Sequence, residues 1–123
     1  MERDLFTDRV IGLAIDVHCA LGPGLLESAY EACLCRELEL ANIHFRRQVP
    51  LPIDYKGLRL EEAYRLDIMV DGRLILEVKA VERLMPIHEA QLLTYLKLSA
   101  VKVGLILNFN APTPKEGIKR LAL

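Results

Sequence analysis

Apolar side chains recur at helical spacing through the first third of the chain. One stripe predicts a helix over residues 4–21, which Gly22 and Pro23 bring to an end. A second stripe predicts a helix over residues 24–41. Its apolar positions are Leu26, Tyr30, Cys33, Leu34, Leu38 and Ala41. Because only Gly22, Pro23 and Gly24 separate the two stripes, we expect the helices to be antiparallel neighbours.

The pattern changes after Asn42 to the alternation that is typical of strands. Apolar residues alternate with polar or proline positions over residues 45–55, which predicts an edge strand that ends in a turn at Lys56 and Gly57. Two further runs, residues 63–70 and 73–80, flank the dipeptide Asp71-Gly72. This is the strongest hairpin signal in the chain.

The last third of the chain predicts a helix and then another strand. Pro86 opens a helix over residues 87–99. The nearly continuous apolar run 101–109 predicts a strand buried on both faces, and residues 118–123 form either a short edge strand or a frayed tail. The order of two helices, three strands, a helix and a strand predicts the α/β class, with residues 1–123 as a single domain.

The register of the predicted hairpin decides which side chains share a face, because a shift of one residue inverts a strand. A two-residue turn would pair Val70 with Arg73 and would mix charged side chains into the apolar face. A three-residue loop would instead pair Asp67 with Ile75. We favour this second register because it sorts the side chains by polarity. Its apolar face holds Leu66, Ile68, Leu74, Leu76, Val78 and Ala80, and its polar face holds Arg65, Asp67, Glu77 and Lys79.

Composition restricts the class of protein. Hydrophobic residues make up 52% of the 123 residues and charged residues 27%, so the chain can bury a core and is not expected to be disordered. We expect no membrane span, because no apolar run approaches about 20 residues. No secretory signal follows the N-terminus, and we therefore expect a cytoplasmic protein.

Charge is balanced overall but unevenly distributed. The net charge is −1, which argues against a protein that holds nucleic acid through bulk charge alone. Residues 1–43 hold eight acids and three bases, whereas residues 44–123 hold nine acids and thirteen bases. The positive potential therefore belongs to the second part of the chain.

Three cysteines, an odd number, are present. Cys33 and Cys35 lie two apart and project to nearly opposite sides of a helix, so they are not expected to share a metal or a disulfide. We expect all three to be reduced and to act as small core side chains.

Two acids and a lysine come together on the polar face of the predicted hairpin, namely Asp67, Glu77 and Lys79. Buried charges must be paired or bound to a metal, and carboxylate oxygens are the hard ligands that Mg²⁺ prefers. A lysine beside them can orient or deprotonate a water that attacks a phosphodiester. The alternative interpretation is a structural ion pair between Glu77 and Arg65, with Lys79 extending to solvent.

The predicted helices carry further candidates. Glu27 projects into the apolar stripe of the second helix and thus towards the sheet, whereas Glu31 lies at its edge or in solvent. Alternatively, Glu27 stabilises the helix dipole from the first turn. His88, Gln91 and Tyr95 share one face of the third helix and could hold a phosphate or a base edge, or could be ordinary surface or core-rim residues.

Other features carry no chemistry of their own. His18 is expected to be a core histidine, and Arg46 and Arg47 are expected to form a solvated basic pair. Gly-rich phosphate loops, Cys-x-x-Cys pairs, His-Glu-x-x-His helices and Gly-x-Ser-x-Gly elbows do not occur in the sequence. The chemistries that depend on these motifs are therefore excluded.

The segment Gly24-Leu25-Leu26-Glu27-Ser28-Ala29-Tyr30 resembles the signature of the small GxxExxY proteins. The likeness covers essentially the whole chain. It continues through Gln48-Val49-Pro50, Tyr64-Arg65-Leu66-Asp67, Glu77-Val78-Lys79, His88-Glu89-Ala90-Gln91 and Asn108-Phe109-Asn110. That family looks like a compact member of the PD-(D/E)XK nuclease superfamily. The resemblance implies a restriction-endonuclease-like fold, a mixed four-stranded sheet flanked by helices.

The resemblance also implies roles for individual residues. Asp67 and Glu77 would bind Mg²⁺ or Mn²⁺ together with the carbonyl of Val78, and Lys79 would be the lysine of the Glu-x-Lys motif. Glu27 would be the helix-borne acid, holding a second metal or a water. Gln91 and Tyr95 match an accessory Gln-x-x-x-Tyr motif, and with His88 they would bind substrate. Leu66 departs from the superfamily pattern, which has proline there.

The implied activity is metal-dependent hydrolysis of phosphodiester bonds in nucleic acid, with DNA favoured. The alternative is a catalytically inactive module with the same fold that binds nucleic acid or another protein. The near-neutral charge suggests that a second copy of the chain or a partner protein supplies substrate affinity.

Overall fold

A computed structural model describes residues 4–123 of the chain, and residues 1–3 of the predicted domain lie outside them. The helices in this part are α1 (Leu5–Leu21), α2 (Glu27–Leu40), α3 (Pro86–Ser99) and α4 (Pro114–Gly117). The strands are β1 (Phe45–Tyr55), β2 (Leu58–Val70), β3 (Leu74–Lys79), β4 (Val103–Asn108) and β5 (Ile118–Ala122). No helix in residues 4–123 is long and apolar enough to cross a bilayer.

The helix ends follow local signals. Asp4 caps α1, because its Oδ1 accepts the Thr7 N–H at 2.6 Å, and Gly22 ends the helix with φ +68°. The start of α2 differs from the predicted one. Gly24 has φ +107°, a conformation outside the right-handed helix, so the helix begins at Glu27 rather than at residue 24.

The sheet has five strands in the order β1-β2-β3-β4-β5, whereas four were expected. The fifth strand comes from the C-terminal segment, for which a short edge strand was one of the two predicted outcomes. It pairs antiparallel with β4, from Val103–Ala122 to Leu107–Ile118. The pairing of β3 with β4 is parallel and the other pairings are antiparallel, so the sheet is mixed, as predicted.

The predicted hairpin is present, but its register is shifted by two residues from the favoured one. Ile68 pairs with Leu76 and Val70 with Leu74. The Arg73 N–H donates to the Val70 carbonyl at 3.0 Å, and this closes a tight turn in which both central residues have positive φ. Because a shift of two residues preserves the alternation, the sorting of side chains between faces largely survives.

Leu66 is an exception to that sorting. It was expected on the face of Ile68, but it is fully buried in the cluster on the other face, with Ile75. The alternation breaks at this point opposite Gln48, a residue of β1 with φ +50°. Arg47 pairs with Ile68, and Val49 pairs with Leu66.

Helices cover both faces of the sheet. The residues of α1 and α2 pack with Ile68, Leu76 and Leu105 in one core cluster, and α3 packs with Ile75 and Ile106 in the other. Neighbouring residues of β4 thus enter different clusters, which confirms the prediction of a strand buried on both faces. The fold is a mixed α/β sheet flanked by helices, consistent with the restriction-endonuclease-like architecture.

Not every expected core residue is buried. Leu26, Cys19 and Cys33 are exposed, whereas Cys35 is buried and burial raises the pKa of its thiol to about 11. The buried face of α2 is rotated from the predicted stripe. It consists of Tyr30, Glu31, Leu34, Cys35 and Leu38.

Candidate functional site

Asp67 and Glu77 lie where the backbone pairing of β2 and β3 stops. Beyond the pair Ile68–Leu76, side chains take over from the ladder. The Asp67 N–H donates to Glu77 Oε2 at 2.9 Å, and the Val78 N–H donates to Asp67 Oδ2 at 2.8 Å. Each carboxyl group therefore accepts a hydrogen bond from a backbone N–H of the other strand, and these two bonds hold the acids side by side.

Burial makes ionisation of this pair costly. Burial, followed by the charge of Asp67, raises the pKa of Glu77 to about 8. Burial also raises the pKa of Asp67, although the Val78 amide opposes this shift. The protein around the pair therefore does not fully compensate the charge of two ionised carboxylates, and Glu77 favours its protonated form.

Lys79 is the nearest cation on the same strand. Its positive charge lowers the pKa of both Asp67 and Glu77, but this effect is weaker than that of burial. The side chain is half-buried. Within residues 4–123 its amine makes no ion pair or hydrogen bond. The alternative ion pair of Glu77 with Arg65 does not form, and Arg65 instead contacts Glu62. The Lys79 amine is available to a ligand beside the acids.

Glu27, the first residue of α2, contacts the chain just beyond the end of β3. It is exposed, unlike the inward-facing acid that the helical projection predicted. Its Oε2 nevertheless accepts the Ala80 N–H at 3.1 Å, so the side chain joins the start of α2 to the residue after β3. Glu27 is exposed because it is the first residue of α2, at the end of the buried face, whereas Glu31 lies one turn further into the helix and is buried.

Glu31 is the acid of α2 that is buried near the pair, and sequence reasoning missed it. It is 7% exposed, and its charge helps to raise the pKa of Asp67 and of Glu77. Its spacing of four residues from Glu27 puts both acids on one side of the helix, a signal that could have revealed it. Glu31 therefore extends the acidic group from the hairpin to α2.

Two residues of β1 hold Glu31 in place. Arg47, expected in solvent, donates to Glu31 Oε2 from Nη2 at 2.9 Å and from Nε at 3.2 Å. Gln48 Nε2 donates to Glu31 Oε1 at 2.9 Å and approaches Asp67 Oδ1 at 3.4 Å. The amide of Gln48 thus bridges Glu31 and Asp67. The left-handed backbone of Gln48 lies opposite the point where the side-chain alternation of β2 breaks.

The three predicted residues of α3 have different surroundings. Tyr95 is buried, and burial followed by the charges of Glu77 and Asp67 raises its pKa to about 12, so it lies near the acidic pair. Gln91 is half-buried on the same face of the helix. His88 caps α3, since its Nδ1 accepts the Met85 N–H at 3.0 Å. The structure thus brings Tyr95 close to the acids, whereas the Nδ1 atom of His88 is used to cap α3.

The donor chemistry of the acidic pair fits a hard divalent cation. Asp67 and Glu77 offer carboxylate oxygens, and the carbonyl of Val78 and the amine of Lys79 follow Glu77 along β3. In residues 4–123, however, no three His, Cys, Asp or Glu side chains are grouped as metal ligands. A cation here would therefore rely on the two carboxylates, the carbonyl, and water or substrate oxygens.

The sequence matches a known family over nearly its full length. A model of the PD-(D/E)XK nuclease superfamily matches residues 4–121. The match includes Asp67, Glu77 and Lys79 and the strands that carry them. No curated protein and no solved structure matches the chain.

Proposed function

Because the chain belongs to the PD-(D/E)XK nuclease superfamily, we propose that it hydrolyses phosphodiester bonds in nucleic acid, with DNA as the favoured substrate. The observation that supports this most directly is the buried pair Asp67 and Glu77 with an uncommitted lysine beside it. An acidic pair with raised pKa values in a sheet interior is costly to keep unless it serves a ligand.

In this proposal, Asp67, Glu77 and the Val78 carbonyl hold Mg²⁺ or Mn²⁺. The chemistry that such a cation supplies when bound is polarisation of a phosphate oxygen and a lower pKa for a bound water. Glu27 would join this group as an additional acid that holds a second metal or a water. Its hydrogen bond with the Ala80 N–H supports this role, because it keeps Glu27 at the same end of β3.

The remaining roles fall to the chain's own polar side chains. The Lys79 amine would orient the attacking water or stabilise charge that develops on the phosphate. Gln91 and Tyr95 would steady the substrate from α3, and His88 would support them from the first turn of that helix. Each of these groups would contact the substrate rather than the metal.

Three broader expectations belong to the same proposal. The segment 24–30 supports membership of the GxxExxY proteins within the superfamily. The three free cysteines, which suit a reducing compartment, support a cytoplasmic location. The net charge of −1 supports a second copy or a partner protein as the source of substrate affinity.

A cleavage assay on single-stranded and double-stranded DNA and RNA, with Mg²⁺, Mn²⁺ or chelator, tests the proposal. Lys79→Ala should lower turnover by roughly 10²-fold or more, the scale of a lost charge-stabilising group. The matched control is Lys102→Ala, an exposed lysine just before β4, near the opposite end of β3. It should cleave at the wild-type rate. Absence of cleavage by the wild-type protein on every substrate would contradict the proposal.

A catalytically inactive binding module is the second candidate, and one observation favours it. Both carboxyl groups already accept backbone amides, so they have a structural use without any ligand. For such a module, Lys79→Ala would chiefly lower stability, because the acids would lose their nearest cation. Melting temperatures measured beside the cleavage rates distinguish the two candidates.

A further inference from the structure

A groove lies between the β1–β2 hairpin and α3, beside the acidic pair. Its volume is about 210 Å³. The side chains that line it are Tyr64, Ile87, Ala90, Gln91, Thr94 and Tyr95. Tyr64 comes three residues before Asp67 on β2, and Tyr95 is the buried tyrosine of α3, so both walls of the groove are fixed by elements of the site.

The groove is built for a planar, uncharged ligand. None of its six lining side chains carries a charge, so a phosphate has no partner there. The two tyrosine rings lie with centroids 6.0 Å apart and planes at 55°, and Tyr64 as a residue is 44% exposed. Such an exposed tyrosine offers a face on which another ring can stack.

A hydrogen-bonding group accompanies the aromatic wall. The Gln91 amide makes no hydrogen bond to any other part of residues 4–123, although the residue is half-buried. An amide can both donate to and accept from the edge of a base. The volume of the groove is smaller than the ~300 Å³ at which typical small-molecule sites begin. It therefore suits a single ring system rather than a larger molecule.

We propose that this groove binds one unpaired nucleobase of a nucleic-acid strand, stacked on Tyr64, next to the phosphodiester at the acidic pair. The inference rests on the proposed function for its ligand class. Its consequence is a preference for single-stranded, frayed or flipped-out nucleotides, because a base inside a duplex cannot present its face to the ring.

Fluorescence of 2-aminopurine tests the groove. The probe is a short single-stranded oligonucleotide with one 2-aminopurine, as DNA and as RNA, titrated in chelator so that no metal-dependent cleavage occurs. Stacking on an aromatic ring quenches this base, and the chain has no tryptophan to interfere. A blunt duplex of the same sequence is the paired-base comparison.

Tyr64→Ala and Tyr64→Leu should weaken binding of the single strand by roughly 10-fold and abolish the quenching, whereas Tyr64→Phe should retain both. The matched control is Tyr55→Ala, at the far end of the same hairpin and 62% exposed. It should bind as the wild-type protein does. Melting temperatures of all variants show that each is folded.

Three results would overturn the inference: Tyr64→Ala that binds as tightly as wild type, Tyr64→Phe that loses as much affinity as Tyr64→Ala, or equal losses for single strand and duplex. Ring-dependent binding without cleavage in metal would defeat the proposed hydrolysis and leave the groove supported. Cleavage that is insensitive to Tyr64 would do the reverse. A wild-type protein that neither binds nor cleaves any strand would overturn both.

Discussion

The two ends of the β2–β3 hairpin are held together by different chemistry. Near the turn, buried apolar residues face one another across a backbone ladder, in the pairs Ile68–Leu76, Met69–Ile75 and Val70–Leu74. At the other end, the carboxyl groups of Asp67 and Glu77 replace the ladder. The apolar end therefore stabilises the fold, whereas the acidic end lowers its stability because two carboxyl groups are kept largely buried there.

The largest effect is expected at the apolar end. Ile75→Ala should lower the free energy of unfolding by about 2–5 kcal/mol, because Ile75 is fully buried between β2 and α3 and its loss leaves a cavity. Urea denaturation measures the change. Leu60→Ala, on the exposed part of β2, is the control and should change little. A loss below about 1 kcal/mol for Ile75→Ala would remove the contrast between the two ends.

The acidic end should be destabilised as pH rises. The pKa of Glu77 is about 8 in the folded chain and 4.5 in its ordinary state, so the folded state keeps a proton that the unfolded state has released. The stability linked to this proton is complete below pH 4.5 and is lost as pH rises through about 8. In chelator, the free energy of unfolding of the wild-type protein should fall by several kcal/mol over this window, because each pKa unit between the two states is worth about 1.4 kcal/mol.

Glu77→Gln checks the origin of that slope. The amide keeps an oxygen that can accept the Asp67 N–H but has no proton to release, so most of the pH dependence should disappear. Glu61→Gln, a substitution at an exposed acid, should leave the slope unchanged. Chemical denaturation at several pH values measures both, and an unchanged slope in Glu77→Gln would assign the dependence to other groups.

A divalent cation should reverse the cost of the acidic end. Mg²⁺ or Mn²⁺ that binds only the folded chain raises its stability by mass action, about 2.7 kcal/mol at 100 times the dissociation constant. The double variant Asp67→Ala, Glu77→Ala should not respond. The control is the double variant Asp54→Ala, Glu61→Ala, which removes two exposed acids of the β1–β2 hairpin and should respond as the wild-type protein does. Equal responses in both double variants would show that the pair is no metal site.

The smallest effect concerns Gln48, which bridges Glu31 and Asp67 from a left-handed backbone. Gln48→Ala removes the bridge and keeps the strained φ, and should cost about 1 kcal/mol. Gln48→Gly removes the bridge and relieves the strain, so it should be more stable than Gln48→Ala. Thermal melting compares them. If alanine and glycine gave equal stability, strain at this position would contribute nothing.

Much of the fold could be predicted from local patterns. The helices α1 and α3 lie within one residue of their predicted bounds, because Asp4 and Pro86 are signals that act within a single turn. The hairpin signal at Asp71-Gly72 was also correct. The register was not, because two registers that differ by two residues sort the faces in the same way, and the hydrogen bond from Arg73 to Val70 selects between them.

The candidate site could be predicted only as far as it lies within one hairpin. Asp67, Glu77 and Lys79 are close in sequence, and their alternation already placed them together. Glu31 and Gln48 belong to other elements, α2 and β1. Their contact with each other near Asp67 depends on how far α2 is rotated against the sheet. The left-handed φ of Gln48 has no sequence signal, since the residue is not glycine.

The α/β class, most of the elements and the pair of acids with its lysine could be predicted, because they follow from the periods of helix and strand and from spacing over a few residues. The pairing of the fifth strand, the inward position of Glu31 and the groove between Tyr64 and Tyr95 depend on how the elements pack. These contacts join residues of different helices and strands. Such side chains meet only after the packing of the helices against the sheet has set their relative rotation.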